Sequence, residues 1–154
     1  MGVTQISVFV ENLPGHMTRL TDILEKAKVS IRGFSLADTA DFGIARFILD
    51  KPAEALVAFE GAGVLFKTTE LLCIELPDEP GALDHAFSAV AAAGINVDYA
   101  YSLVSTYVVL KVNDIQQAQT LLAEQPIRLI EQDDLRNVSL PSAPVPCSGT
   151  PSTL

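Results

Sequence analysis

The sequence predicts an α+β protein made of two successive β-α-β-β-α-β units, each with an antiparallel sheet and both helices packed on one face. Three observations lead to this prediction. A run of alternating apolar residues that ends in Pro-Gly occurs twice, 66 residues apart. A helix with a one-sided apolar stripe follows each occurrence. Two β-rich segments, a short helix and a closing strand then complete each copy of the repeat.

The first strand of each copy alternates apolar residues with other residues. Residues 5–15 read QISVFVENLPG, and residues 71–81 read LLCIELPDEPG. Successive side chains of a strand point to opposite faces, so an alternating trio marks the face that is buried in the core. The two matching trios are Ile6, Val8 and Val10, and Leu72, Ile74 and Leu76.

A helix is predicted after each Pro-Gly pair. Apolar residues recur there at three- and four-residue spacing, which is typical of a helix that lies on a sheet. Proline suits the first helical turn because its missing N–H costs nothing there, and Gly94 is a suitable helix stop. The two stripes are Met17, Leu20, Leu24 and Ala27, and Leu83, Phe87, Val90 and Ala93.

The remaining elements follow in the same order in both copies. The spacing falls from 66 to 63 residues because the hairpin of the second copy is shorter, and surface loops tolerate such changes. Each copy has about 65 residues, near the lower limit for independent stability, so we expect the copies to share an interface with each other or with a second chain. The predicted segments are 30–37, 43–49, 52–60 and 64–68 in the first copy, and 95–104, 106–112, 115–123 and 127–131 in the second.

The predicted domains therefore span residues 1–68 and 69–136, and a different segment follows them. Residues 137–154 contain four prolines, four serines and no charged side chain. Such a segment cannot bury enough apolar surface to offset the entropy lost on ordering. We expect it to be a flexible tail.

The composition disfavours several classes of partner. The chain has 10 basic and 19 acidic side chains and a net charge of −9, whereas nucleic-acid and anionic-membrane binders need a basic surplus. No apolar run reaches the ~18–20 residues that span a bilayer, and no secretory signal pattern is present. Cys73 and Cys147 fit neither a disulfide framework nor a zinc motif. We expect a cytoplasmic protein with no metal, cofactor, nucleic acid or membrane partner.

The two strand-to-helix bends are the candidate binding sites. A helix N-terminus presents unpaired N–H groups and the positive end of the helix dipole, which suits a carboxylate. Gly15 and Gly81 have no Cβ, so a ligand can approach the main chain closely. The side-chain oxygens of Asn12 and Asp78 can accept hydrogen bonds from an ammonium group, and a free amino acid has both groups. Asn and Asp are also ordinary helix-capping residues, so a purely structural interpretation stays open.

These bends resemble those of the ACT domain family. Residues 12–17 read NLPGHM, residues 78–83 read DEPGAL, and GINV follows at 94–97. Residues 3–135 resemble a tandem pair of ACT domains, which are small regulatory modules of ferredoxin-like fold. The resemblance implies that an amino acid binds at an interface between two such domains, between the bend of one domain and an asparagine after the first helix of the other.

The resemblance also implies a set of ligand-binding residues. The first copy has Ser30 where the second has Asn96, and a hydroxyl is shorter than an amide and has no NH₂ group to donate. One of the two equivalent pockets is therefore in doubt. The implied residues are Asn12, Leu13, Pro14, Gly15, His16, Met17 and Ser30 in the first copy, and Asp78, Glu79, Pro80, Gly81, Ala82, Leu83 and Asn96 in the second.

Two functional hypotheses follow from the resemblance to stand-alone double-ACT proteins. The first is a non-catalytic regulatory module that binds a free amino acid, forms a homodimer or other homo-oligomer and acts on a metabolic enzyme. The alternative is a structural or regulatory subunit of an amino-acid biosynthetic enzyme, similar to the small subunit of acetolactate synthase, without a ligand response of its own. An enzymatic role is not expected, because G-x-S-x-G, P-loop and G-x-G-x-x-G motifs are missing and the cysteines and histidines give no obvious nucleophile–base pair.

An RNA-recognition module is the main structural rival, because it has the same order of elements. Residues 41–47, DFGIARF, faintly resemble the aromatic motif of its third strand. That module stacks bases on exposed aromatic rings within a basic surface. This chain is acidic, and its second copy has Val108 and Val109 in the corresponding strand. We therefore disfavour RNA binding.

Overall fold

The computed structural model describes residues 2–11, 13–38 and 42–138, without the side chain of Asp38. The elements confirm the predicted α+β class, with the β-α-β-β-α-β order present twice. Among these residues, no helix has the length and apolar character needed to cross a bilayer. The elements are β1 Val3–Glu11, α1 His16–Lys26, β2 Ile31–Asp38, β3 Phe42–Leu49, α2 Pro52–Gly61, β4 Phe66–Glu75, α3 Ala82–Ala92, β5 Val97–Ser102, β6 Tyr107–Val112, α4 Ile115–Ala123, β7 Arg128–Leu129 and a 3₁₀ helix Gln132–Asn137.

One long strand belongs to both copies. The closing strand of the first copy and the opening strand of the second are continuous as β4, because no glycine or proline interrupts residues 66–75. Residues 66–71 pair antiparallel with β1, and residues 72–75 pair with β6. The strand order is β2-β3-β1-β4-β6-β5, with β7 also paired to β4. The predicted boundary between residues 68 and 69 therefore lies within a shared strand.

Each copy has its own core between its helices and its part of the sheet. Ile6, Val8 and Val10 pack with Leu20 and Leu24 of α1 in the first copy, as the alternation predicts. Burial of one strand face and one helix stripe is the packing that both sequence periods require. The corresponding cluster of the second copy contains Leu72, Ile74, Leu76, Ala86, Val90, Leu110, Val112, Ala118 and Leu122.

A third cluster joins the copies on the faces of the sheet that carry no helices. Val3, Leu71 and Cys73 alternate with the residues of the helix-facing cores, and they pack against Val109 and Ile130. The expected shared interface is therefore formed between the two copies of one chain. Next to it, Val104 N–H donates to the Arg32 carbonyl at 2.8 Å and brings the ends of β5 and β2 together.

A small network of polar side chains also lies on the faces of the sheet that carry no helices. Gln5 is fully buried, and its Nε2 donates to the Tyr99 hydroxyl at 2.8 Å and to the Ser7 Oγ at 3.1 Å. The Tyr101 hydroxyl donates to Gln5 Oε1 at 2.7 Å, and burial raises the pKa of that hydroxyl. The Arg46 guanidinium lies 4.2 Å from the centre of the Tyr99 ring. The buried amide thus has a partner at both of its polar atoms.

The C-terminal part differs from the prediction in two respects. β7 has only two residues because the chain turns into the 3₁₀ helix, where Glu131 and Asp134 form a reciprocal capping box. Asn137, predicted as the first residue of the tail, ends that helix, and Val138 packs against the third cluster. The rest of the predicted tail, residues 139–154, lies outside the described residues.

Candidate functional site

Both bends have the same backbone geometry. Gly15 has φ 89° and ψ −12°, and Gly81 has φ 89° and ψ −9°, which fit the third position of a type II turn. The His16 N–H donates to the Leu13 carbonyl at 3.3 Å, and the Ala82 N–H donates to the Glu79 carbonyl at 3.4 Å. A positive φ of this size favours glycine, which explains why Pro-Gly occurs at both bends.

The helices begin after the glycines, at His16 and Ala82. Pro14 and Pro80 therefore lie in the turns and not in the first helical turn as predicted, because a positive φ at the next residue interrupts the helical path. Gly15 and Gly81 are the N-cap residues, and no side chain caps either helix in the described part of the chain. The capping interpretation is thus wrong for Asp78, while Asn12 lies outside the described residues.

The helix starts leave main-chain donors available. In α1, the first helical bond runs from the Arg19 N–H to the Gly15 carbonyl at 3.0 Å. The N–H groups of Met17 and Thr18 have no hydrogen-bond partner among the described residues, and the same is true of Leu83 and Asp84 in α3. Every α-helix leaves such donors in its first turn, and they are the groups on which the sequence analysis based its candidate carboxylate site.

A cleft lies beside each bend, next to the start of β4 in the first copy and next to the start of β7 in the second. The first cleft has a volume of about 340 Å³ and is lined by residues 8–11, His16, Arg19, Leu20 and residues 63–65. The second cleft has a volume of about 330 Å³ and occupies the equivalent place in the second copy. Its lining residues are Leu76, Pro77, Glu79, Ala82, His85, Gln125, Pro126 and Ile127.

A second depression lies on the opposite side of each bend. The first side pocket, of about 120 Å³, brings together the predicted residues Leu13, Gly15, His16 and Met17. The second side pocket, of about 270 Å³, includes Asp78 and residues of the hairpin between β5 and β6. Each of the four depressions is lined by residues of one copy alone, two by the first copy and two by the second.

Other predicted residues lie elsewhere. Glu79 and Ala82 line the second cleft, whereas Pro14, Pro80, Gly81 and Leu83 line none of the four depressions. Ser30 and Asn96 also line none of them. The Ser30 N–H donates to Asp50 Oδ1 at 2.8 Å, and the Asn96 amide donates to Asp98 Oδ1 at 2.9 Å. One chain therefore does not bring these two residues to the bends.

Two charged residues of the first cleft were missed by the sequence analysis. Glu11 is the last residue of β1, and Arg19 lies four positions after Gly15, one helical turn along. Arg19 Nη2 donates to the Ala62 carbonyl at 2.9 Å, which holds the guanidinium at the C-terminal end of α2. The only signal in the sequence was the position of each residue relative to the Pro-Gly pair.

The two bends differ in what surrounds them. A Cβ built on Gly15 would meet no atom within 4 Å, whereas one built on Gly81 would lie 4.0 Å from His85 Nε2. Arg128 Nη1 contacts Glu75 Oε2 at 3.1 Å beside the second bend, and this hydrogen bond raises the pKa of Arg128. Counting the described residues alone, there is slightly more space around Gly15 than around Gly81.

The comparison with protein families agrees with this duplicated architecture. A family model described as an ACT domain pair matches residues 1–139. The chain belongs to the ACT domain family. Both bends of this ACT pair lie within the matched region. None of the curated proteins compared with the chain matches it.

Solved structures share the fold of this ACT pair. The structure of protein BT0572 from Bacteroides thetaiotaomicron has a TM-score of 0.84 and 29% identity, and the match covers 90% of this chain and 98% of that one. The ligand-free regulatory subunit of aspartate kinase from Thermus thermophilus has a TM-score of 0.59 and 17% identity, with 79% and 89% covered. The corresponding subunit from Thermus flavus has a TM-score of 0.57 and 17% identity, with 80% and 90% covered. At 17% identity, the similarity to these two aspartate kinase subunits shows a shared fold.

Proposed function

We propose that this ACT pair is a non-catalytic regulatory protein that binds a free amino acid beside a Pro-Gly bend and transmits binding to a metabolic enzyme. The observation that carries the proposal is the repeated bend, which in each copy lies beside a cleft and begins a helix whose first N–H groups have no partner among the described residues. Membership of the ACT family and the regulatory subunits among proteins of the same fold support a regulatory role. We place this role in the cytoplasm, as the composition led us to expect.

The physical basis is the complementarity between the bend and a zwitterion. The positive end of the helix dipole stabilises a carboxylate at the start of each helix, where His16 and Arg19 line the first cleft and Gly15 lines the side pocket. The two larger clefts, at about 340 and 330 Å³, are at the small end of ligand sites, which range from about 300 to 1,000 Å³. A molecule the size of an amino acid suits such a volume.

A homo-oligomer is part of the same proposal. Within the described part of the chain β2 pairs only with β3 and is an edge strand, and its side chains Phe34 and Leu36 are 60% and 51% exposed. An exposed apolar edge strand is a surface on which a second chain can add to the sheet. Such an association would provide the interface between domains that Ser30 and Asn96 do not form within one chain. A ligand can shift this association only by its different affinity for the two states.

Thermal shift and calorimetric titration with each of the twenty amino acids test the proposal. Binding at 100 times the dissociation constant stabilises the folded chain by about 2.7 kcal/mol. For a chain of this length we expect the melting temperature to rise by roughly 5–10 °C. If no amino acid changes the melting temperature at millimolar concentration, the proposed function is wrong.

The variant Gly15→Leu tests whether the first bend is needed for amino-acid binding, and Gly94→Leu is its matched control. Both glycines have a positive φ, 89° and 72°, and a Cβ at either position would meet no atom within 4 Å. Both variants therefore acquire similar backbone strain, while Gly94 ends α3 away from the bends. We expect Gly15→Leu to lose the amino-acid response, because leucine strained at this φ displaces the start of α1 and with it His16 and Arg19 of the first cleft, and we expect Gly94→Leu to keep the response. Equal responses from the two variants would contradict a site at the first bend.

A further inference from the structure

We infer that the first cleft is the amino-acid site of this chain, that it selects α-amino acids with an apolar side chain, and that the second cleft is not an equivalent site. This inference rests on the proposed function and adds to it the position of the site and the class of ligand. Its basis is a comparison of matching positions in two clefts of nearly equal volume.

The charged groups of the two clefts differ. The first cleft has the Glu11 carboxylate and the Arg19 guanidinium, which are opposite in charge as the two ends of an amino acid are. Only one of the five guanidinium N–H donors of Arg19, the one bonded to the Ala62 carbonyl, has a partner among the described residues. The other donors are available to a carboxylate, which a guanidinium binds in a bidentate manner.

The second cleft lacks this pair of charges. Pro77 occupies the position that matches Glu11, and His85 occupies the position that matches Arg19. Glu79 supplies a carboxylate there, but an imidazole replaces the five-donor guanidinium. His85 Nε2 lies 4.0 Å from the position that a Cβ on Gly81 would occupy.

The residues at the rims of the two clefts also differ, apolar in the first copy and charged in the second. β1 and β4 pair as far as Val8 and Phe66, and the next residues, Phe9 and Leu65, stand 69% and 84% exposed at the rim of the first cleft. The matching residues in the second copy are Glu75 and Arg128, which pair across the strands and form a salt bridge. The second rim position therefore carries two charges that are paired with each other. The first rim is apolar and uncovered, and a hydrocarbon side chain of a ligand gains free energy by covering it.

Calorimetric titration of the full chain with L-leucine, L-valine, L-phenylalanine, L-aspartate and L-lysine tests the ligand class. We expect the three apolar amino acids to bind with one site per chain, and the two charged ones to bind at least tenfold more weakly. Two equal sites per chain, or preference for aspartate or lysine, would overturn the inference. Absence of binding by all five, and by the other amino acids, would instead remove the proposed function.

Three variants test whether leucine binds in the first cleft or in the second. Arg19→Gln and Glu11→Gln each remove one charge of the first cleft, and we expect at least a tenfold loss of leucine affinity in each, about 1.4 kcal/mol. Arg19 and Glu11 are exposed, so both variants should fold, which circular dichroism can check. His85→Gln is the matched control in the second cleft and should bind leucine as the wild type does. Loss of affinity in His85→Gln with unchanged binding in Arg19→Gln would show that the inference is wrong while leaving the proposed function intact.

A leucine analogue separates the two charged contacts. 4-Methylpentanoic acid has the carboxylate and the hydrocarbon chain of leucine but no ammonium group. We expect it to bind the wild type at least tenfold more weakly than leucine, and Glu11→Gln to cause no further loss. If Glu11→Gln weakens the analogue as strongly as it weakens leucine, Glu11 does not bind the ammonium group.

Discussion

At the scale of single residues, Gly33 fixes how closely two edge strands approach. A Cβ at this position would collide with Leu103 Cδ2 and lie 3.3 Å from Leu103 Cα. The neighbouring hydrogen bond from Val104 to Arg32 limits how far the backbone can withdraw. We predict that Gly33→Ala lowers the free energy of unfolding by about 1–3 kcal/mol, measured by urea denaturation.

Gly61→Ala is the control for this substitution. A Cβ on Gly61, the last residue of α2, would meet no atom within 4 Å. Alanine is favoured over glycine in helices by up to about 1 kcal/mol, so this variant should be as stable as the wild type or more stable. If both substitutions leave stability unchanged, the close approach of β2 and β5 is not present in solution.

Cys73 provides a second prediction for a single residue. Desolvation by burial in the third cluster raises the pKa of its thiol to about 12, so little reactive thiolate is present at pH 8. In a Cys147→Ser variant, where Cys73 is the remaining thiol, we expect no reaction with Ellman's reagent at pH 8 until the chain is unfolded by urea. Rapid reaction of the folded variant would contradict the burial of Cys73.

The same shift sets a direction for the dependence of stability on pH. The unfolded thiol ionises near pH 9, while the folded thiol ionises near pH 12, so the folded state binds the proton more tightly. The stabilisation is present below pH 9 and is lost as the pH rises through this interval. We predict that the free energy of unfolding falls less steeply above pH 9 in Cys73→Ala than in the wild type, as measured by urea denaturation at several pH values.

At the scale of elements, the hydrogen bonds of Gln5 connect β1 to β5. Tyr101→Phe would leave the buried Gln5 Oε1 without its donor, and an unpaired buried acceptor costs about 1–3 kcal/mol. We therefore expect Tyr101→Phe to lower the free energy of unfolding by about 1–3 kcal/mol, measured by urea denaturation. The double variant with Gln5→Leu should lose less than the sum of the two single losses, because both substitutions remove the same bond. Strict additivity would show that the bond contributes nothing.

The elements also show which features a sequence can predict. The alternation at Ile6, Val8 and Val10 and the Pro-Gly bends are local patterns, so the order of the strands and helices was predicted correctly, whereas the place of Pro14 and Pro80 and the short β7 were not. The lack of glycine and proline at residues 66–75 permits a continuous β4, but the pairing of its two halves with β1 and β6 depends on segments that are distant in the sequence. Arg19 and Glu11 were missed because an isolated charge on a helix or strand looks like a solvated surface residue until the cleft is seen.

At the scale of the whole molecule, the shared strand and the third cluster connect the stability of the two copies. Leu71 and Cys73 belong to β4 and pack in that cluster, together with Val3 of β1 and Val109 of β6. We predict that the chain unfolds in one transition, with equal calorimetric and van't Hoff enthalpies. Val109→Ala should lower the melting temperature without dividing the transition. Two separate transitions would show that the copies are independent domains.

The duplicated architecture also provides one cleft with a zwitterion-like pair of charges and a second cleft that lacks this pair. A crystal structure of the chain grown with a mixture of leucine, valine and phenylalanine tests this account most directly. The account predicts density for an amino acid in the first cleft, with its carboxylate near Arg19 and its side chain against Phe9 and Leu65. Solvent alone in both clefts, or an amino acid in the second cleft only, would contradict it.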